Sequence, residues 1–273
     1  MTPFIRLLAV LLSLSVPALA QDRLEVMAGT SLIEDIVTDL GGSRVAVKTI
    51  IPAAACPGHY DIRTSDVAYL AQARIILLHD WQERMPAMVS ILDAVSGARE
   101  RAVVVQVKGN WMVPDRQVEA VRAVESILER VDPGHAAAYR EKSLDRLRMV
   151  EAAGERMRER MKQAGLLNTP VMCDVMQRPF VELLGLAVVA DYGRFEEMGP
   201  EALAKALNAA KAAGARLVLD NMQSTGAAGK ALADDLGAAH ATLSNFPGGY
   251  PGADTWEAAV SKNVDLILAA LGK

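Results

Sequence analysis

The stretch Ala55-Cys56-Pro57-Gly58-His59-Tyr60-Asp61-Ile62 sets a thiol three residues ahead of an imidazole, across a Pro-Gly bend. That spacing lets both side chains reach one ion, and a soft sulfur–nitrogen pair suits zinc or copper(I). It equally describes a tight turn whose histidine bonds to backbone. The only other cysteine, Cys173, is followed directly by Asp174, which reads as an oxygen ligand or as a helix N-cap. Three fates are open for the two thiols: shared metal ligands, a disulfide, or separate lives with Cys173 packed as a small apolar group. His79 ends an apolar run and stays a lesser candidate; His135, solvated in the first turn of a helix, and His240, just before a strand, are expected to take no part.

Eight short apolar, β-branched runs are available to position these groups. They cover residues 24–28, 45–51, 74–79 and 102–107 in the first half, then 171–174, 186–190, 216–220 and 241–244 in the second. Helical patterns separate most of them, which indicates parallel strands covered on both faces. The expected fold class is α/β, with two lobes of mainly parallel four-stranded sheets. Ligands in such lobes approach the carboxyl ends of the strands. That rule selects Cys56 and His59 after the second strand, Gly109-Asn110-Trp111 after the fourth, and Cys173-Asp174 at the fifth. It also selects Asp220-Asn221-Met222-Gln223 after the seventh and Asn245-Phe246 after the eighth.

Residues 133–165 predict one long helix joining the lobes. Tyr139, Leu144, Leu147, Val150, Met157 and Met161 recur at helical spacing, with Asp132 as N-cap, Pro133 at the first helical position and Gly165 as the stop. Two helices broken near Gly154 are the alternative. Residues 1–20 combine Arg6, a short apolar run and Ala18-Leu19-Ala20, the pattern of a secretory leader cleaved after Ala20. The expected organisation is leader 1–20, first lobe 21–132, connecting helix 133–165 and second lobe 166–273. Gln21 follows the cleavage point, so no lipid-bearing cysteine anchors the mature chain, which is expected to be periplasmic and monomeric. A net charge of −4 without a basic stripe argues against nucleic acid. No glycine-rich phosphate loop, nucleophile elbow or H-E-x-x-H motif is present, so an enzyme is not expected.

Several segments, in this order, resemble the metal-binding periplasmic solute-binding proteins of ABC importers for zinc, manganese or iron. They are "SLIEDIVTDLGG", "VAVKTIIP", the His59 loop followed by "TSDVAYLAQARIILL", "VDPGHAAAY", and "LSNFPGG" followed by "TWEAAVSKNVDLILAAL". The resemblance implies two lobes, a rigid connecting helix, one metal in the cleft between them and delivery to an ABC permease in the membrane. It puts His59 at the first ligand position, Asp174 at the third and Asn245 at the last. At the second, Gly109-Asn110-Trp111 has no histidine. The expected ligand set is therefore His59, Cys56, Cys173, Asp174 and Asn245, holding Zn2+, with Mn2+, Fe2+ and Cu+ as alternatives. Asn245 suits the harder cations through its carbonyl oxygen. Two other readings stay open: a same-fold protein for a metal chelate or small organic ligand, walled by Trp111, Phe246 and Tyr250, and a secreted α/β enzyme using Cys173-Asp174.

Overall fold

Strand β3 (Ile75–His79) shows why the apolar runs become parallel strands: all five of its residues are buried, as only a strand covered on both faces requires. In the computed structural model, which describes residues 23–194, 197–224 and 228–273, it joins β1 (Leu24–Thr30), β2 (Val45–Ile51) and β4 (Ala102–Val105). The order is β2-β1-β3-β4, parallel throughout. The second sheet repeats this with β5 (Pro170–Asp174), β6 (Ala187–Tyr192), β7 (Leu217–Asn221) and β8 (Ala239–Leu243), in the order β6-β5-β7-β8, again parallel. The two-lobed α/β class expected from the sequence is the one observed. The expected leader at 1–20 lies outside the described residues.

Helices α1 (Ser31–Gly41), α2 (Thr64–Gln72), α3 (Pro86–Ala94), α4 (Ala98–Arg101) and α5 (Pro114–Val131) belong to the first half. Helix α6 (Ala136–Gln163) connects it to α7 (Arg178–Leu183), α8 (Pro200–Ala212), α9 (Ala228–Leu236) and α10 (Trp256–Ala270). Each sheet reverses its strand order once, so a crevice opens between β1 and β3 in one sheet and between β5 and β7 in the other. Thr30 and His79 end the first pair of strands; Asp174 and Asn221 end the second. No helix among the described residues is long and apolar enough to cross a membrane.

Helix α6 runs unbroken for 28 residues, about 42 Å. Gly154 does not break it. It allows contact instead: a Cβ there would stand 2.9 Å from Pro114 Cγ, so the start of α5 sits against the middle of α6. The helix begins later than expected. Pro133–His135 form a 3-10 turn, and the Asp132 carboxylate accepts from Tyr139 Oη at 2.6 Å and bonds the His135 ring at 2.8 Å rather than capping. Strand β8 begins two residues early because His240, placed before the strand by sequence, meets Asp220 on β7 at 2.8 Å.

The buried stripe of α6 also differs from expectation. Leu144 is 58% exposed, whereas Tyr139, Ser143, Arg146, Val150, Ala153, Met157 and Met161 are buried. A cation thus occupies the centre of an apolar face. Arg146 donates to Asp35 at 2.5 Å and to Asp39 at 3.1 Å, both on α1. Asp35 also accepts from the backbone N–H of Trp256, the first residue of α10, at 3.1 Å. One carboxylate therefore ties together α1, α6 and α10. Around it, a single apolar cluster runs from Leu24 and Ile36 through Val124, Met157 and Phe180 to Val264 and Ile267. The connecting helix is the middle of a shared core rather than a lone strut.

Replacing Asp35 by Ala leaves the buried Arg146 cation with Asp39 alone and removes the acceptor of the Trp256 N–H. Urea unfolding is expected to show a loss of roughly 3–5 kcal/mol, while the double change Asp35→Leu, Arg146→Met recovers most of it. A loss below about 1 kcal/mol for the single variant would remove this role for the pair.

Candidate functional site

Loops after all eight strands converge on one cleft between the lobes, with a volume of about 630 Å³. His79, Asp80 and Trp81 enter it from the end of β3. The turn that aims them is built on Gln82, fully buried, which accepts from the His79 N–H and donates to the Gly29 carbonyl, both at 3.0 Å. Gly29 is required there, because a Cβ would fall 2.0 Å from the Gln82 amide oxygen. The His79 ring bonds Thr30 Oγ1 through Nε2 at 2.7 Å. It stacks on Trp81 at 5.3 Å between ring centres and 18° between planes, and meets Trp111 at 4.2 Å. Burial brings its pKa down to about 3, so the imidazole is neutral throughout the physiological range.

The opposite side is a chain of amides. Asn110 Nδ2 donates to Asn245 Oδ1 at 2.9 Å, across the two lobes. Asn245 Nδ2 donates to Asn221 Oδ1 at 3.2 Å, Asn221 Nδ2 to Ser224 Oγ at 3.0 Å, and Ser224 Oγ to Asp174 Oδ2 at 2.7 Å. Each donor points the same way, toward the carboxylate, so the bonds polarise one another. Asp174 Oδ1 accepts from the Met176 N–H at 2.8 Å, which fixes the turn carrying Val175 and Met176 into the cleft. Burial raises the pKa of Asp174, against the pull of those two hydrogen bonds. Other bonds hold the lobes in register: Asn110 Nδ2 to the Met176 carbonyl at 2.9 Å, Gln223 Nε2 to the Ala53 carbonyl at 2.7 Å, and Trp256 Nε1 to the Trp111 carbonyl at 2.8 Å. At the mouth, Arg194 crosses from the second lobe onto Gly58, where a Cβ would stand 3.1 Å from Nη1. Its guanidinium also bonds Glu197 at 3.2 Å.

Comparison with known proteins gives this cleft a context. The family model for the periplasmic zinc-uptake complex component A, ZnuA, matches residues 26–270. The chain belongs to this family. As a ZnuA-family member it is a solute-binding protein of the ABC-importer type, not an enzyme. Among solved structures, a periplasmic metal binding protein from Candidatus Liberibacter asiaticus is 15% identical, with a TM-score of 0.74, covering 90% of this chain and 98% of that one. A manganese-bound structure of the Liberibacter protein matches with a TM-score of 0.73 at 15% identity over the same shares. A crystal structure of ZnuA matches at 0.75 with 14% identity, over 91% of this chain and 99% of that one. At these identities the structures share the fold. No curated protein matches the chain.

Within the ZnuA frame, the five residues expected from sequence are not gathered together. Asn245 lines the cleft, but its carbonyl oxygen is taken by Asn110. Cys56 and His59 bracket a 3-10 turn closed by the His59 N–H on the Cys56 carbonyl at 3.1 Å; Cys56 is half-buried and His59 exposed. Their neighbours Pro57 and Gly58, not they, line the cavity. Asp174 lies under the floor, 2% exposed. Cys173 is fully buried: along β5 its side chain joins Val171 in the large apolar cluster, while Met172 faces the smaller one. Both cysteines are free thiols. No group of three or more His, Cys, Asp or Glu able to hold a metal ion occurs among the described residues. Trp111 and Phe246 do wall the cleft, whereas Tyr250 turns its hydroxyl to the Thr242 carbonyl at 2.7 Å. Trp81, Met176 and Arg194 escaped the sequence reading. The strand-end rule reaches all three, since each sits within a few residues of the end of β3, β5 or β6.

Two outcomes follow from these burials. Burial pushes the Cys173 thiol up to about 12, and Asp191 adds to it. A thiol reagent should therefore modify only Cys56 in the native protein and both cysteines in guanidinium; two fast native thiols would contradict this packing. His79 binds its proton in the unfolded chain at an ordinary pKa but not in the fold, so stability falls as pH drops below that value. Between pH 7 and pH 5 the buried ring should cost the wild type about 2 kcal/mol relative to His79→Phe in urea midpoints. Equal pH dependence of the two proteins would contradict a buried neutral imidazole.

Proposed function

We propose that this chain is the extracytoplasmic solute-binding subunit of an ABC importer, that the interlobe cleft is its solute site, and that the cargo is a transition metal. One observation carries the reading: loops from every strand end of both sheets line a single cavity, in a chain matched almost end to end by the ZnuA model. Ligand sites of open parallel sheets lie at such ends. Residues 1–20 support export to the periplasm, and the family is a periplasmic one. Zinc is the first metal to test because the family is named for zinc uptake; structures of the Liberibacter protein hold cadmium and manganese. Mn2+, Fe2+ and Cu+ are the further cargoes, and a membrane permease is the partner.

Cys56 and His59 are assigned to the rim, beside Pro57 and Gly58 at the mouth. There, a thiol and an imidazole meet the arriving cargo first. Asp174 supports the floor from beneath, and Asn245 holds the amide chain across the cleft.

Elemental analysis of the mature protein, isolated from the periplasm without chelators in the buffers, should find about one transition-metal equivalent per chain, as a single cleft requires. Metal-free protein that takes up no zinc, manganese or copper(I), either as ions or as organic complexes, would overturn the reading.

A further inference from the structure

The cleft is built for a solute with an organic surface. A zinc site needs about four nitrogen, sulfur or oxygen ligands at roughly 2.0–2.3 Å. The cavity offers no such set among the described residues: its amides are bonded to one another, its one imidazole is bonded to Thr30, and Asp80 is the single carboxylate on its lining. It offers instead about 630 Å³, within the usual range for organic ligands. Large apolar side chains stand open around it. Trp81 is 40% exposed on the first lobe, and Val175 and Met176 are 47% and 57% exposed on the second. Exposed apolar side chains gathered from two lobes at one mouth mark a binding surface. Trp81 is held flat by the stack on His79, which leaves an aromatic face prepared for another ring. The cation reaching across the mouth is Arg194. An arginine repels a bare metal ion, whereas its planar guanidinium matches a carboxylate.

We infer that the metal enters this cleft already wrapped, as a complex with a planar aromatic chelator that bears carboxylate groups. Trp81 receives the ring, Arg194 binds a carboxylate, and Val175 and Met176 cover the organic surface from the other lobe. The metal keeps its chelator's ligands, so the protein needs none of its own. The inference rests on the reading of the chain as a metal importer's solute-binding subunit.

The test uses the mature protein and follows tryptophan fluorescence and calorimetry with four probes: zinc chloride, free dipicolinate, zinc bis(dipicolinate) and cobalt(III) bis(dipicolinate). The cobalt(III) complex exchanges its ligands too slowly for the protein to strip the metal. Both complexes should saturate one site, with free zinc bound at least about 100-fold more weakly. Trp81→Ala and, separately, Arg194→Gln should each weaken the complexes roughly tenfold. Trp81 is partly exposed, so the variant should keep the wild-type unfolding midpoint. Tight one-to-one binding of free zinc, or failure of both complexes to saturate the site, overturns the inference; the former leaves the metal-import reading intact. Free dipicolinate binding as tightly as its complexes overturns that reading as well.

Discussion

Arg146 is the constraint from which the rest of the structure follows. A guanidinium in the middle of an apolar helix face is tolerable only with carboxylates brought to it, and both Asp35 and Asp39 come from α1. The same Asp35 Oδ2 also accepts from the first N–H of α10, a helix of the other lobe. The position of the second lobe is thus set by an interaction made on the first. The Trp256 indole continues the link to the Trp111 carbonyl, beneath the cleft wall. From there the line reaches His79 and Trp81 by ring contact. The width of the cleft is a consequence of where Arg146 can be neutralised.

The floor obeys a different rule. Asn110, Asn245 and Asn221 stand at strand ends, where the family resemblance implies ionisable ligands at two positions, and amides are both donor and acceptor. A row of them can satisfy itself without a charge. The row ends on Asp174, the one carboxylate beneath it, whose burial is offset by Ser224 and the Met176 N–H. The cleft therefore stays closed by neutral hydrogen bonds, worth about 1 kcal/mol each. A solute with its own acceptors can exchange for them.

The fold was largely legible because it is written in periodicity. The eight apolar runs and the long helix follow from burial on two faces and from 3.6-residue spacing, and these are local signals. The site was legible only in outline. Strand ends named Asn110, Asn221 and Asn245, but chemical type drew attention to Cys173, whose direction off β5 depends on which face of the sheet meets α7 and α10. A single sequence does not carry that choice of face. His79 shows the same limit: its rank depended on Thr30, Trp81 and Trp111 closing around it, contacts between segments far apart in the chain. Arg146 was hidden for the opposite reason. Its charge makes it read as a solvated residue, and only Asp35 and Asp39 make a buried position tolerable.

The unbroken apolar cluster from Leu24 to Ile267 bears on how such a gene can change. A family built of two similar lobes invites the exchange of one lobe for another between relatives. Here the border between them passes through Asp35, Arg146 and Trp256, three residues spread along most of the chain. A recombinant that inherits only one of Asp35 and Arg146 leaves a buried charge without its nearest partner. Variation in solute should accordingly accumulate in the loops at the strand ends, one side chain at a time, while the two halves are inherited together.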